Sequence, residues 1–197
     1  MISTPSRSHA PKTSKAIFAD MRRVALAMLC LVATVARADF TVTSEAVRPN
    51  RPIPSAQVLN GFGCHGENRS PDLHWTGAPA GTRSFAVTMY DPDAPTGSGF
   101  WHWLIVNIPS ATTRIPAGAG QANLPAGSLQ TRTDFGTVGY GGPCPPLGDA
   151  PHRYQFTVVA LDIDKLPVDE TSSGALVGFN LHFHTLAKAT LTAKFGR

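Results

Sequence analysis

Five side chains in this sequence have the types and the spacing to work together. Asp91 and Asp93 sit in the run Asp-Pro-Asp-Ala-Pro, where two prolines stiffen the backbone that carries them. His102 follows between Trp101 and Trp103, and His152 and Tyr154 open a later apolar run. On a strand, residues i and i+2 share a face, so His152 and Tyr154 are expected to point the same way and Arg153 the other. Such a set suits a small anion. Protonated imidazoles, a phenol hydroxyl and the backbone N–H groups of the Gly-rich stretch beginning at Gly139 can all donate to it. A carboxylate beside an imidazole favours its charged form and orients it. Anion affinity should then be greater below the free histidine pKa. A carboxylate can also accept the ammonium of an ethanolamine head group.

Other chemistries fit less well. Ser98 lies in Gly-Ser-Gly without the Gly-x-Ser-x-Gly elbow of a hydrolase nucleophile, and its loop offers no local base. Asp91, His102 and His152 have the composition of a two-histidine, one-carboxylate metal site, yet nothing in the pattern demands a redox metal. His182 and His184 are two apart on a predicted helix and so face different ways. No metal, cofactor or catalytic residue is assigned. His65 and His74 are read as ordinary surface or structural histidines.

The elements that must position these residues are mostly strands. Ser84–Tyr90, Trp101–Ile108 and Arg153–Leu161 are strong strand candidates, rich in aromatic and β-branched residues. Trp101–Ile108 is the most apolar and is expected at the centre of a sheet. Phe40–Ser44, Leu73–Trp75 and Thr190–Phe195 are shorter candidates. Irregular stretches abut the strong strands at 61–71, 91–99 and 139–151, where binding residues collect. One late helix is predicted over Ala175–Leu186, after the N-cap residues of 169–173, with Leu176, Phe179, Phe183 and Leu186 at helical spacing. The 18 Gly and 17 Pro among 197 residues punctuate short segments, which points to a turn-rich, mainly β domain.

Charge is unevenly placed. Residues 1–38 hold six Lys/Arg and one acid, and the remainder is close to balanced with eleven bases against twelve acids. Without a basic cluster on the folded part, nucleic-acid binding is excluded as a leading reading. Met21-Arg22-Arg23, the apolar run Val24–Val35 and Ala36-Arg37-Ala38 read as a signal peptide. Cleavage is expected after Ala38, with Met21 as the expected start, leaving one domain over 39–197 in the periplasm or outside the cell. Removal of the leader takes Cys30 with it. Cys64 and Cys144 remain, an even pair that reads as one disulfide in an exported domain.

Three motifs in order resemble the phosphatidylethanolamine-binding protein (PEBP) family, in its bacterial, Raf-kinase-inhibitor-like branch. They are DPDAP at 91–95, the His-Trp-x-x-x-Asn run from His102 to Asn107, and GPCPP with HRY within 142–154. The resemblance spans roughly Phe40–Arg197. It implies a Greek-key β-sandwich of antiparallel sheets with few helices. It also implies a pocket for phosphate-like anions or phospholipid head groups, lined by Asp91, Ala94, Pro95, His102, Pro145, Pro146, His152 and Tyr154. Asp93 belongs to the same motif, with a side chain that can instead serve its loop. A bond from Cys64 to Cys144 would tie the 61–71 loop to the pocket rim. The expected function is that of a binding protein, not an enzyme, acting as monomer or homodimer with an unknown protein partner. A protease or kinase inhibitor acting through its surface, and a small-molecule hydrolase using the Asp/His cluster, are the rival readings.

Overall fold

The computed structural model describes Met1, residues 38–120 and residues 122–197. The expected leader, from the Met21 start to its Arg37, lies outside the described residues. The strands and the helix among the described residues belong to the unit from Ala38 to Arg197.

Ten strands and one α-helix are described, and every pairing between strands is antiparallel. The large sheet is built from β5 (Ser84–Asp91), β6 (Phe100–Pro109), β8 (Leu129–Gln130), β9 (His152–Leu161) and β10 (Thr185–Phe195), in the order β10-β9-β5-β6-β8. β5, β6 and β8 lie side by side, and β9 returns to the far side of β5, which is the strand order of a Greek key. A small sheet of β1 (Thr41–Thr43), β4 (Leu73–Thr76) and β7 (Arg114–Ile115) supplies the second layer. β2 (Asn60–Gly61) and β3 (Cys64–His65) form a separate hairpin.

The centre of the large sheet is β5, not the more apolar β6 that composition favours. β6 has only the two-residue β8 on its outer side. Its unbroken apolar run has another cause: both faces of the sheet are covered, as in strands that read as continuous hydrophobic runs. On one face Phe85, Val87, Met89, Trp103, Ile105, Phe156 and Val158 pack with Val47, Leu73 and Trp75. On the other, Ala86, Leu104, Val106, Val159 and Leu161 pack with Leu166, Val177 and Leu181.

The helix α1 spans Gly174–His184, and the strand β10 begins at once at Thr185, five residues earlier than alternation suggests. Ser173 caps the helix by accepting from the Leu176 N–H at 3.3 Å. Gly174 is forced by contact, because a Cβ there would meet the Trp101 ring at 2.4 Å. The expected apolar stripe turns out to be on the wrong side. Val177 and Leu181 are buried against the sheet, whereas Leu176, Phe179 and Phe183 face solvent, as does Leu186 on the following strand.

Cys64 and Cys144 are bonded across a separation of 80 residues, with Cα atoms 6.0 Å apart. The bond joins the β2–β3 hairpin to the segment that leads into β9.

Candidate functional site

The carboxyl end of β5, the start of β6, the start of β9 and the 134–146 loops meet around a cavity of about 340 Å³. Asp91, Ala94, Pro95, His102, Pro145, Pro146, His152 and Tyr154 all line it. Asp93 does not. Its carboxylate is turned outward to Arg153, which reaches it through Nη2 at 2.6 Å and Nε at 2.9 Å, while the Arg153 backbone N–H adds a bond at 2.8 Å. These hydrogen bonds hold the Asp93 carboxyl down at about 2. The pair pins the DPDAP turn to β9 from outside.

Asp91 does the inward work. One oxygen accepts the Asp93 backbone N–H at 2.9 Å, closing an Asx turn, and the other lies 2.7 Å from His152 Nδ1. Both side chains are buried. Asp149 faces the opposite ring nitrogen of His152 at 3.4 Å, so the imidazole is held between two carboxylates. Tyr154, on the same face of β9 as His152, is fully buried. Its hydroxyl makes no well-formed hydrogen bond, although it lies near enough to Asp91 to feel the charge. Burial first, and then that carboxylate, raise the Tyr154 pKa, so the hydroxyl keeps its proton and remains a donor.

His102 reaches the cavity through a break in alternation. Met89 pairs with Trp103 and Tyr90 with Trp101, which leaves His102 as the extra residue of a β-bulge. The bulge lets the imidazole contact Tyr154, with ring centroids 5.3 Å apart, although the next residue, Trp103, packs into the same core layer as Tyr154. The backbone also binds this residue, since the Gly141 N–H donates to the His102 carbonyl at 3.0 Å. His102 Nδ1 bonds the Gly141 carbonyl at 2.8 Å.

The expectation that His102 carries positive charge is overturned here. Burial pushes its pKa down to about 4, against weaker opposing effects of the Gly141 carbonyl and Asp91. The ring is neutral at pH 7. A carbonyl can only accept, so Nδ1 must carry the proton and Nε2 is an acceptor. His102 therefore asks a ligand for a hydrogen, and does not offer it a charge.

Sequence reasoning missed the aromatic wall. Phe62, Phe100 and Phe135 line the cavity with His102 and Tyr154. Their rings touch in sequence, Phe62 to Phe135 at 6.2 Å, Phe135 to Phe100 at 4.8 Å and Phe100 to His102 at 5.0 Å. Phe100 was open to discovery, since it lies two residues from His102 on one strand. Phe62 and Phe135 come from loops and carry no local signal. Also missed is Arg197, which donates from Nε to the Pro145 carbonyl at 2.7 Å and from Nη2 to the Phe62 carbonyl at 3.2 Å, clasping two lips of the rim.

This division of labour between the two aspartates makes a prediction. Asp93→Ala should leave affinity for phosphoethanolamine within about threefold of wild type, since its carboxylate is outside the cavity. Asp91→Ala frees His152 and exposes buried polar groups, and should reduce affinity at least tenfold. Calorimetric titration of both variants checks it, and equal losses would contradict the assignment.

Comparison with known proteins agrees with this architecture. The profile described as "Phosphatidylethanolamine-binding protein" matches residues 43–196. The UPF0098 protein YbhB of Escherichia coli is 56% identical over 154 residues, covering 77% of this chain and 97% of that protein. The UPF0098 protein YbcL of the same organism is 54% identical over 158 residues, covering 79% of this chain and 86% of YbcL. The crystal structure of E. coli YbcL, described as a new member of the mammalian PEBP family, superposes with a TM-score of 0.80 at 52% identity, over 81% of this chain and 99% of that one. A PEBP homologue from Chlamydia trachomatis gives a TM-score of 0.68 at 28% identity, over 80% and 97% of the two chains. With its fold, its motifs and nearly all of residues 43–196 matched, the chain belongs to the phosphatidylethanolamine-binding protein family, in its YbhB/YbcL-type branch.

Proposed function

We propose that this is an exported, non-enzymatic binding protein whose cavity takes a phosphate-bearing small molecule or a phospholipid head group. The observation that carries this reading is the Tyr154 hydroxyl, a buried donor on the wall of a preformed cavity that makes no well-formed hydrogen bond, with the Asp91 carboxylate nearby. A buried polar group left unpaired costs free energy that a ligand oxygen would recover. His152, oriented by Asp91 through Nδ1, stands beside it with Nε2 turned towards Asp149. The acceptor nitrogen of His102 favours a ligand that brings a hydrogen of its own, as an ethanolamine ammonium or a singly protonated phosphate does. The three phenylalanines suit the carbon skeleton of such a ligand.

Two details of the lining favour binding over turnover. Cys144 is consumed by the disulfide, and the Thr96 hydroxyl donates to the Gly99 carbonyl. Neither is paired with a base. Export rests on the leader pattern of residues 21–38 and on the disulfide, which suits an oxidising compartment.

Calorimetric titration with phosphoethanolamine and with inorganic phosphate tests the site. Tyr154→Phe and His152→Ala should each weaken binding by about 10- to 150-fold, the loss expected for a charge-assisted hydrogen bond of roughly 1.5–3 kcal/mol. His65→Ala should change nothing. Equal affinity in wild type and both pocket variants would overturn the assignment. Slow hydrolysis of the titrant would replace it with an enzymatic one.

A further inference from the structure

The wall of the ligand cavity carries more negative charge than positive. Asp91 and Asp134 both line it, and Asp149 stands behind His152 at 3.4 Å. Among the described residues, no Lys or Arg lines the cavity. The guanidiniums of the neighbouring segments are engaged elsewhere. Arg153 is held outside by Asp93, and Arg197 is turned to the carbonyls of Pro145 and Phe62. His102 is neutral at pH 7. Even a charged His152 leaves three carboxylates against one imidazolium. Such a wall repels a bare phosphate dianion and attracts a cation, the more so in a partly water-excluded space.

We propose that the cavity selects its ligand by a primary ammonium group, seated against Phe100, Phe135 and the Asp134 carboxylate, and that a phosphate on the ligand is dispensable. The ligand class is a small amino alcohol, free or esterified. This rests on the reading of the cavity as a ligand site and names which end of the ligand the site recognises. The aromatic residues are the first support. The rings of Phe100, Phe135 and His102 lie 4.8 to 5.3 Å apart and are inclined to one another by 58° to 76°, so they form adjoining walls of a corner. A phenyl face is the negative side of its quadrupole and attracts a cation placed over it. Asp134 is the second. It accepts the Trp101 backbone N–H at 2.8 Å, and among the described residues it has no Lys or Arg partner, so its charge is available to a ligand.

The third support is the pairing of hydrogen-bonding groups. His102 Nε2 accepts, and a primary ammonium brings N–H groups to it. The Tyr154 hydroxyl donates, and the oxygen of an amino alcohol accepts whether it is free or esterified. The two rings are 5.3 Å apart, so one donor and one acceptor stand side by side, as the two ends of a short amino alcohol require. Inorganic phosphate matches less of this wall. It has oxygens for Tyr154 but nothing for the phenyl faces, and its charge has the sign of Asp91 and Asp134. At about 340 Å³ the cavity exceeds a four-atom amino alcohol, which leaves room for a group esterified to its oxygen.

Calorimetric titration at neutral pH of the protein as purified from an expressing host decides it. The titrants are ethanolamine, its neutral isostere propan-1-ol, inorganic phosphate and phosphoethanolamine, each added separately. Ethanolamine should bind within about tenfold of phosphoethanolamine, and propan-1-ol and inorganic phosphate at least about tenfold more weakly than ethanolamine. Asp134→Asn should weaken ethanolamine roughly tenfold and leave inorganic phosphate no weaker. The amide oxygen can still accept the Trp101 N–H, so the loop keeps its anchor. Phe135→Leu should weaken ethanolamine about 2- to 30-fold, the range of a cation over a ring, and leave propan-1-ol within about twofold. Inorganic phosphate that binds as tightly as phosphoethanolamine, with ethanolamine inert, overturns the inference and leaves a phosphate site standing. Equal binding of ethanolamine and propan-1-ol overturns it too, since the cavity would then read only carbon. Undiminished ethanolamine binding by Asp134→Asn overturns the placing of the ammonium. Silence from all four titrants removes the ligand site itself, and the inference with it. The comparison among titrants on wild type stands even where a variant fails to fold.

Discussion

Replacing both Cys64 and Cys144 by serine is expected to lower the free energy of unfolding by about 3–5 kcal/mol, while the fold and the cavity persist. The size follows from the loop that the bond closes. A cross-link over 80 residues removes much of the freedom of the unfolded chain, and the chain-entropy relation places its worth between those of a 15-residue and a 100-residue loop, near the upper one. The persistence follows from a separate set of native contacts across the same seam. The Leu59 N–H donates to the Pro143 carbonyl at 3.2 Å, and the Tyr140 hydroxyl to the Gln57 carbonyl at 2.9 Å. The Asn68 side chain donates to the Tyr140 carbonyl at 3.2 Å and accepts from the Gly142 N–H at 2.7 Å. Arg197 clasps Phe62 and Pro145. Even Gly142 belongs to this closeness, since a Cβ there would lie 2.1 Å from the Gln57 carbonyl oxygen.

The disulfide therefore acts mainly on the unfolded ensemble, and the native hairpin is held by hydrogen bonds whether or not the sulfurs are joined. Urea unfolding of wild type and the double-serine variant checks the magnitude. Calorimetry with phosphoethanolamine checks the persistence, with affinity expected within about threefold. A stability loss below 1 kcal/mol would show that the reduced chain keeps the loop closed by itself. A large loss of affinity with little loss of stability would mean that the bond shapes the rim directly.

How much of this was visible in the sequence depends on whether the deciding interaction is local. The strands β5, β6 and β9 were legible because their residues are apolar on both faces and leave no other local structure open to them. The disulfide was legible because the expected removal of a leader would leave a single pair of cysteines. The shared face of His152 and Tyr154 followed from the two-residue period of a strand and their pocket with Asp91 from the family resemblance, whereas the pairing of Asp91 with His152 in place of His102 did not. By contrast, the two-residue strands β7 and β8 carry no pattern long enough to read. The helix was placed nearly correctly, yet its buried face was not, because Val177 with Leu181 and Phe179 with Phe183 are equally apolar sets. Only packing against Ala86 and Leu104 chooses between them. The bulge at His102 depends on how β5 pairs with β6, and the outward turn of Asp93 depends on Arg153 across another strand. Both are tertiary events with no trace in local spacing.

The protonation of His102 is the clearest of these tertiary effects, and it carries the second large expected result. As pH falls from about 6.5 to about 4, this residue alone should take roughly 3 kcal/mol from the stability of the protein. The unfolded chain protonates the imidazole near its ordinary value of 6.5, whereas the folded protein resists protonation until about 4, because burial penalises the charged ring. Between those values the unfolded state binds more protons, so stability increases with pH across that window. It is independent of this group above it, where both states are neutral, and below it, where both are charged. Asp93 contributes separately and lower, since Arg153 holds its carboxyl at about 2 and its share of stability is lost only as pH falls from its ordinary 3.8 towards that value. Measuring urea midpoints from pH 3.5 to 8 for wild type and His102→Gln isolates the term by difference. The glutamine amide can still donate to Gly141 but has no proton to gain. The variant should lack most of the loss between pH 6.5 and 4, and its midpoint should overtake that of wild type in acid if the two are similar at pH 7. Parallel curves would mean that His102 takes up its proton in the folded protein near 6.5. In that case the cavity would present a charged donor where the geometry now places a neutral acceptor.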